Sequence, residues 1–149
     1  MGVALHSRKT ASQRGFTLIE IMIVVVILGV LAALVVPNMI GKAAEARQTA
    51  AASDIRSIAN ALDMYRLDNF NYPSTDQNLA ALVEKPSGFP AAANWSEGGY
   101  LRKLPKDPWG NEYIYISPGK TGPYDLLSMG GDGRIGGEGE AADINLADL

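Results

Sequence analysis

The sequence predicts an α+β protein in which one long N-terminal helix packs on a small antiparallel sheet. The helix is indicated by an apolar run, Phe16 to Val36, that passes into an amphipathic pattern ending near Tyr65. The sheet is indicated by two short segments, Glu112–Ser117 and Tyr124–Ser128, on either side of a Pro-Gly turn. Two such segments joined by a short Gly-containing turn are typical of a β-hairpin.

A basic leader precedes the apolar run. Residues Met1 to Gly15 include Arg8, Lys9 and Arg14 and no acidic residue. Basic residues flanking a membrane segment stay on the cytoplasmic side, so the chain after the apolar run is predicted to lie outside the inner membrane.

The apolar run from Phe16 to Val36 has 21 residues, of which Thr17 and Glu20 are polar. A helix of that length spans ~30 Å, about the thickness of one bilayer core. A carboxylate at its head needs a partner or a function, because charge is costly in hydrocarbon. The alternative is a secretory signal peptide, whose apolar core has ~7–15 residues and ends at a small-residue site. Here the run is longer and no clear site of that kind follows.

The second half of the helix carries one apolar stripe. Pro37 is expected to end or kink the first half, since proline lacks the backbone N–H. Beyond it, small and apolar residues recur every three, four or seven positions, which predicts a core-facing helix surface. The same stripe would also suit a partner helix. Its members are Ala44, Ala51, Ile55, Ile58, Leu62 and Tyr65.

The segment between the helix and the hairpin is rich in turn residues. We expect a loop from Asn69 to about Asn94, with two helical turns over Gln77–Val83. The sequence Asp107–Asn111 then predicts a tight turn, because proline presets φ and glycine accepts a positive φ.

Composition limits the possible functions. The chain has 149 residues, and the part that follows the leader holds 10 basic and 16 acidic residues. Its net charge of −6 argues against a nucleic-acid partner. The chain has no cysteine, and its single histidine, His6, lies in the leader. Cysteine nucleophiles, disulfides and histidine-based sites are therefore excluded from the chain after the leader, and no G-x-S-x-G elbow is present. We predict that the protein is not an enzyme.

One acidic, glycine-rich segment, Gly130 to Ile144, has the composition of a metal loop. It offers four carboxylates on a backbone able to turn tightly, as calcium requires. The spacing is not that of an EF-hand. On spacing alone a solvated acidic loop is the favoured interpretation. A membrane-tethered periplasmic enzyme is a further alternative, since paired carboxylates such as Glu138 and Glu140 would mimic a glycosidase pair, but the sequence indicates no apolar substrate pocket.

The segment Arg14–Glu20 (RGFTLIE) closely resembles the leader junction of type IV pilins and type II secretion pseudopilins. Three further segments, Tyr72–Ser74, Leu104–Asn111 and Tyr124–Ser128, look like the major pseudopilins of type II secretion systems. Typical type IVa pilins carry a C-terminal disulfide loop, and this chain has no cysteine. An adhesive or motility pilin is the alternative that shares the same N-terminal machinery.

The resemblance implies a type IV pilin-like fold and three regions: a prepilin leader (1–15), a transmembrane and filament-core helix (16–36) and a periplasmic domain (37–149). It implies cleavage between Gly15 and Phe16 by a prepilin peptidase, and N-methylation of Phe16. Glu20 would set the register of subunits during assembly. The expected product is a homopolymer, the pseudopilus, working with minor pseudopilins and an inner-membrane secretion platform to export folded proteins.

The resemblance also implies one calcium ion, Ca2+, in the C-terminal loop. Asp132 and Asp143 match ligand positions of the family, and the backbone carbonyls of Met129 and Arg134 match its carbonyl positions. Many relatives place aspartate where this chain has glycine or alanine, so Glu138 and Glu140 are expected to substitute. Calcium would then replace the missing disulfide as the clamp on this loop.

Overall fold

The structure is a computed structural model that describes residues 15–120 and 122–149, except for the side chains of residues 35–40. Over these residues it forms the helix α1 (Leu18–Asn69) and a sheet of β1 (Ile114–Ile116), β2 (Asp125–Ser128) and β3 (Ile144–Asn145). The short 3₁₀ turns are Leu79–Leu82, Gly130–Asp132, Gly139–Ala141 and Leu146–Asp148. The predicted leader lies outside the described residues except for Gly15.

The chain divides into two compact units after Met39, and the second comprises Ile40–Leu149. Helix α1 contributes to both, and its backbone stays helical through Pro37. The prediction of one long helix to about Tyr65 is therefore confirmed, and of the two outcomes expected at Pro37, an end or a kink, the helix does not end there. A proline inside a helix removes one backbone hydrogen bond, and the alanines that follow it, Ala43, Ala44 and Ala46, favour helix.

The core of the second unit forms on the predicted stripe of α1. Ala51, Ile55, Ile58, Leu62 and Tyr65 are at most 1% exposed, which confirms the periodicity, while Ala44 is half-buried. The stripe packs against buried residues from the 3₁₀ turn, from β1 and its preceding residue, and from β2: Leu79, Leu82, Tyr113, Tyr115 and Leu126.

The sheet is antiparallel in the order β1-β2-β3. Tyr115 lies opposite Leu126, and both side chains point into the core. The hairpin of β1 and β2 is thus confirmed, with its first strand shorter than the predicted 112–117. Strand β3 was not predicted, because two residues are too few to show a period.

The short helical piece is tighter than predicted. Instead of two α-helical turns over Gln77–Val83, a 3₁₀ turn runs from Leu79 to Leu82. The Asn78 side chain accepts a hydrogen bond from the N–H of Leu79 at 2.7 Å. The buried Gln77 amide donates to the carbonyls of Ser87 and Pro90, so this region is held by side-chain contacts rather than by helix propensity.

Candidate functional site

The predicted metal loop is closed at its base by the sheet. Strand β2 ends at Ser128, and the chain returns as β3, where Ile144 pairs with Ser128 and Asn145 with Leu127. Residues 129–143 between them hold every predicted metal-binding residue. The pairing of β2 with β3 therefore brings the two ends of this 15-residue acidic segment side by side.

Two glycines let this loop fold against itself. Gly130 is buried with φ of 61°, and a Cβ there would lie 2.7 Å from the carbonyl oxygen of Ala142. Gly137 has φ of 103°, and a Cβ there would lie 2.5 Å from the carbonyl oxygen of Ala141. At both positions the backbone conformation and the close approach require glycine.

The far part of the loop is attached to helix α1. Arg47 forms an ion pair with Glu140, and the Gln48 amide donates to the carbonyl of Gly139. The Trp109 indole donates to Oε1 of Glu140 at 3.2 Å. The indole hydrogen bond, followed by the Arg47 guanidinium, holds the pKa of Glu140 below its usual value. These contacts direct Glu140 toward the helix, and Glu138 is exposed.

Asp143 has a carboxylate oxygen without a partner. Its Oδ2 accepts the N–H of Gly136 at 2.9 Å, whereas its Oδ1 is buried and has no hydrogen-bond partner. Buried polar atoms are normally satisfied, so an orphaned carboxylate oxygen points to a missing donor or cation. This is the observation in the loop that fits a metal ion.

Asp132 is arranged differently. Its Oδ1 accepts the N–H of Arg134 at 3.0 Å, within its own turn, and its side chain is exposed. Among the residues that the structure describes, no three His, Cys, Asp or Glu side chains lie close enough together to hold a metal ion. An ion here would need carbonyl oxygens, such as those of Met129 and Arg134, beside the carboxylates.

The N-terminal segment begins with a helix cap that the sequence interpretation missed. Gly15, Phe16 and Thr17 precede α1, and the N–H of Glu20 donates to the Thr17 hydroxyl at 3.3 Å. Thr17-x-x-Glu20 is the spacing of a capping box, which could have revealed this role. A negatively charged carboxylate in the first turn also interacts favourably with the positive end of the helix dipole. Glu20 therefore stabilises the start of the helix, independently of any role in assembly.

The first unit presents an apolar surface. The large apolar side chains from Leu18 to Leu34 are between 47% and 80% exposed, and that of Phe16 is 79% exposed. In the described part of the chain, no helix reaches the length and hydropathy required to cross a membrane. The predicted segment 16–36 extends beyond Leu34 to residues whose side chains lie outside the description.

Two family descriptions match this chain. The prokaryotic N-terminal methylation motif matches residues 10–36, and the family described as type II secretion system (T2SS), protein G matches residues 38–147. The second match covers most of the chain. The chain belongs to the type II secretion system protein G family. The resemblance found in its sequence is thereby confirmed, and the methylation motif includes Gly15, Phe16 and Glu20.

Curated members of the protein G family are similar over almost their whole length. Type II secretion system core protein G of Pseudomonas aeruginosa is 61% identical over 132 residues, covering 89% of this chain and 93% of that protein. The Vibrio cholerae protein is 56% identical, covering 92% and 93%. The Escherichia coli K12 protein is 54% identical, covering 94% and 97%.

A solved structure supports the protein G fold. The crystal structure of the major pseudopilin from the type 2 secretion system of enterohaemorrhagic Escherichia coli matches with a TM-score of 0.67 and 43% identity. The match covers 77% of this chain and 98% of that one. The predicted fold, a long N-terminal helix with a small antiparallel sheet, is confirmed.

Proposed function

We propose that this chain is the major pseudopilin of a type II secretion system, a structural subunit and not an enzyme. The observation that carries the proposal is the order of the two family matches, a methylation motif over residues 10–36 followed at once by the protein G match over 38–147. A prepilin peptidase removes residues 1–15, Phe16 is methylated, and the subunits polymerise into a periplasmic pseudopilus.

Membrane anchoring follows from the same segment. Before assembly the apolar side chains from Leu18 to Leu34, exposed in the isolated subunit, lie in the inner membrane, with the C-terminal domain in the periplasm. In the filament these side chains pack against those of other subunits. Both environments remove a large apolar surface from water, at roughly 25 cal/mol per Å². Minor pseudopilins and the inner-membrane platform act on the subunit at this transfer.

Intact-mass spectrometry of the protein from membranes of its native host tests the processing step. We expect the mass of a chain that begins at Phe16 and carries one methyl group. A mass that corresponds to cleavage after the apolar run would identify an ordinary secreted protein and contradict the proposal.

Glu20 sets the register in this proposal. Its carboxylate pairs with the methylated amine of Phe16 in an adjacent subunit, because an unpaired charge in the filament core costs several kcal/mol. Glu20→Ala should reach the membrane at the normal level and yield few filaments. Glu45→Ala, at an exposed glutamate of the same helix, is the matched control and should assemble normally. Normal filament yield from Glu20→Ala would remove the registration role.

Calcium stabilises the C-terminal loop in this proposal. The buried, unpartnered Oδ1 of Asp143 supports it. Asp143 and Asp132 would hold the ion with the carbonyls of Met129 and Arg134. Since Glu140 is bound by Trp109 and Arg47, Glu138 is the glutamate left to complete the set. The ion would supply a charge that ties the returning chain to the turn after β2.

A further inference from the structure

Three apolar side chains are exposed together at the C-terminal end of α1. Met64, Leu67 and Phe70 are 58%, 77% and 78% exposed. Their spacing of three residues places Met64 and Leu67 on one helix face, with Phe70 directly beyond the last turn. We call these three residues the Phe70 patch. Clusters of exposed apolar side chains mark interaction surfaces more often than isolated ones do.

The backbone at Phe70 adopts a left-handed conformation that is strained for a residue as bulky as phenylalanine. Phe70 has φ of 65°, and its N–H donates to the carbonyl of Arg66 at 2.7 Å, closing the helix. Glycine or asparagine is usual at such a helix end. A bulky residue with positive φ is uncommon, and strain of this kind persists where function uses it. Here the strained residue presents an aromatic ring to solvent.

The same unit has a cleft of matching size, lined by both apolar and polar residues. It has a volume of about 270 Å³ and is lined by residues of the 3₁₀ turn, the following loop and the start of the hairpin, among them Leu79, Ala80, Leu104, Pro105 and Tyr113. Leu104 is 38% exposed at its mouth. We call it the Leu104 cleft. Its volume is sufficient for a phenylalanine side chain.

The patch and the cleft are separate surfaces of one copy, and no residue lines both. The Tyr113 hydroxyl, from a residue that lines the cleft, donates to Asp54 of α1 at 3.0 Å. Phe70 directly follows α1, whose last residue, Asn69, is 15 positions after Asp54, or ~22 Å along the helix axis. Two different complementary surfaces on one chain form a head-to-tail contact, which propagates as an open helical filament.

The charges around the two surfaces are complementary. Asp63 and Arg66 lie beside Leu67 and Phe70, and Lys106 and Glu112 line the cleft. Each surface thus carries one acidic and one basic side chain. In a contact between two copies, Asp63 pairs with Lys106 and Arg66 with Glu112.

We propose that the Phe70 patch of one subunit docks into the Leu104 cleft of a second copy of this chain. The inference rests on the proposed function, since it names the contact that joins the C-terminal domains within the pseudopilus. It explains why a phenylalanine stands where glycine would be less strained: the ring is held outward for the neighbouring subunit.

Because the chain has no cysteine, disulfide crosslinking tests the contact directly. The full-length double variant Phe70→Cys with Ala80→Cys is expressed in the native host with its secretion system intact, and membranes are oxidised. A head-to-tail contact should give a ladder of multimers, because each subunit links to the next. Disulfides form between residues whose Cα atoms lie within ~7 Å, so the ladder reports close docking.

The matched control moves the first cysteine to another exposed aromatic position. Phe89 is 89% exposed and lies in a loop among Ser87, Gly88 and Pro90. Phe89→Cys with Ala80→Cys should give no ladder. Filaments that form without a ladder from the Phe70 pair would overturn the docking inference alone. Dimers from Phe70→Cys by itself, or crosslinks to a different protein, would overturn it as well. Failure of the unsubstituted chain to form filaments would instead contradict the proposed function.

A second variant separates docking from folding. Phe70→Gly removes the ring and the strained Cβ, so the melting temperature of the chain should rise or stay unchanged while filament yield falls at least several-fold. Phe89→Ala should leave filament yield unchanged. Normal filaments from Phe70→Gly would overturn the inference, whereas a lowered melting temperature would show that Phe70 serves the fold and not the contact.

Discussion

The Ser128 hydroxyl donates to Oδ2 of Asp107 at 2.7 Å, and both side chains are buried. The other oxygen of Asp107 accepts the N–H groups of Trp109 and Asn111 at 3.1 and 2.7 Å. Ser128 in turn accepts the N–H of Gly130 at 3.2 Å. One buried carboxylate therefore joins the turn before β1 to the last residue of β2 and the start of the C-terminal loop.

Ser128→Ala should destabilise the second unit by ~1–3 kcal/mol, because it leaves Oδ2 of the buried Asp107 and the Gly130 N–H each without a partner. Urea unfolding of the purified protein in detergent measures this. Ser57→Ala is the control, since Ser57 is exposed and bonds only within its own helix; its effect should stay within ~0.5 kcal/mol. Equal effects of the two variants would contradict the structural role of the pair.

The tyrosines predict a loss of stability in alkali. Burial, the largest cause at each, raises the pKa of all six, and that of Tyr115 to about 12. The folded chain thus holds phenol protons that the unfolded chain releases near its ordinary value of 10.0. The contribution of these tyrosines to the free energy of unfolding is fully present below pH 10 and is lost as the pH rises toward 12. The six are Tyr65, Tyr72, Tyr100, Tyr113, Tyr115 and Tyr124.

Unfolding free energies measured from pH 8 upward check this. Tyr124→Phe keeps the ring and removes one titrating hydroxyl, whose pKa burial raises. In alkali, the slope of its unfolding free energy against pH should be shallower than that of the unsubstituted chain, by the equivalent of up to about one proton. A stability that stays constant through this range would show that the tyrosines are not protected as the structure indicates.

Two neighbouring glycines separate backbone strain from steric contact. Gly136 and Gly137 have φ of 94° and 103°, so alanine is strained at both. At Gly136 the added Cβ meets open space, whereas at Gly137 it lies 2.5 Å from the carbonyl oxygen of Ala141. Gly137→Ala should therefore be less stable than Gly136→Ala, with strain alone costing of order 1–3 kcal/mol in each. Thermal unfolding compares the two variants. Equal losses of stability would mean that the loop moves to relieve the contact at residue 137 without further destabilisation.

The sequence predicted those parts of the fold that repeat along the chain. The stripe of Ile55, Ile58 and Leu62 recurs at helical spacing, and the segments around Tyr115 and Leu126 are bounded by turn residues. Both signals are local, and the structure confirms both. The Thr17–Glu20 cap is equally local, since its Thr-x-x-Glu spacing stands in the sequence.

The loop contacts could not be predicted in the same way. Arg47 and Glu140 are 93 positions apart, and nothing in either local sequence pairs them. The same holds for Asp107 and Ser128, which meet because the sheet brings a turn beside a strand end. The resemblance to a family supplied candidate ligands, but which glutamate faces the helix depended on these long-range contacts.

Removal of calcium should destabilise the C-terminal loop. If the ion binds the folded chain through Asp143, EDTA should lower the melting temperature, since a ligand of the folded state stabilises by mass action, ~2.7 kcal/mol at 100 times its Kd. Added calcium should restore it. Asp143→Asn should melt at the lower temperature with or without EDTA, whereas Asp76→Asn, at an exposed aspartate outside the loop, should behave as the unsubstituted chain. A melting temperature that EDTA does not change would contradict calcium binding, and the orphaned Oδ1 of Asp143 would then require a different donor.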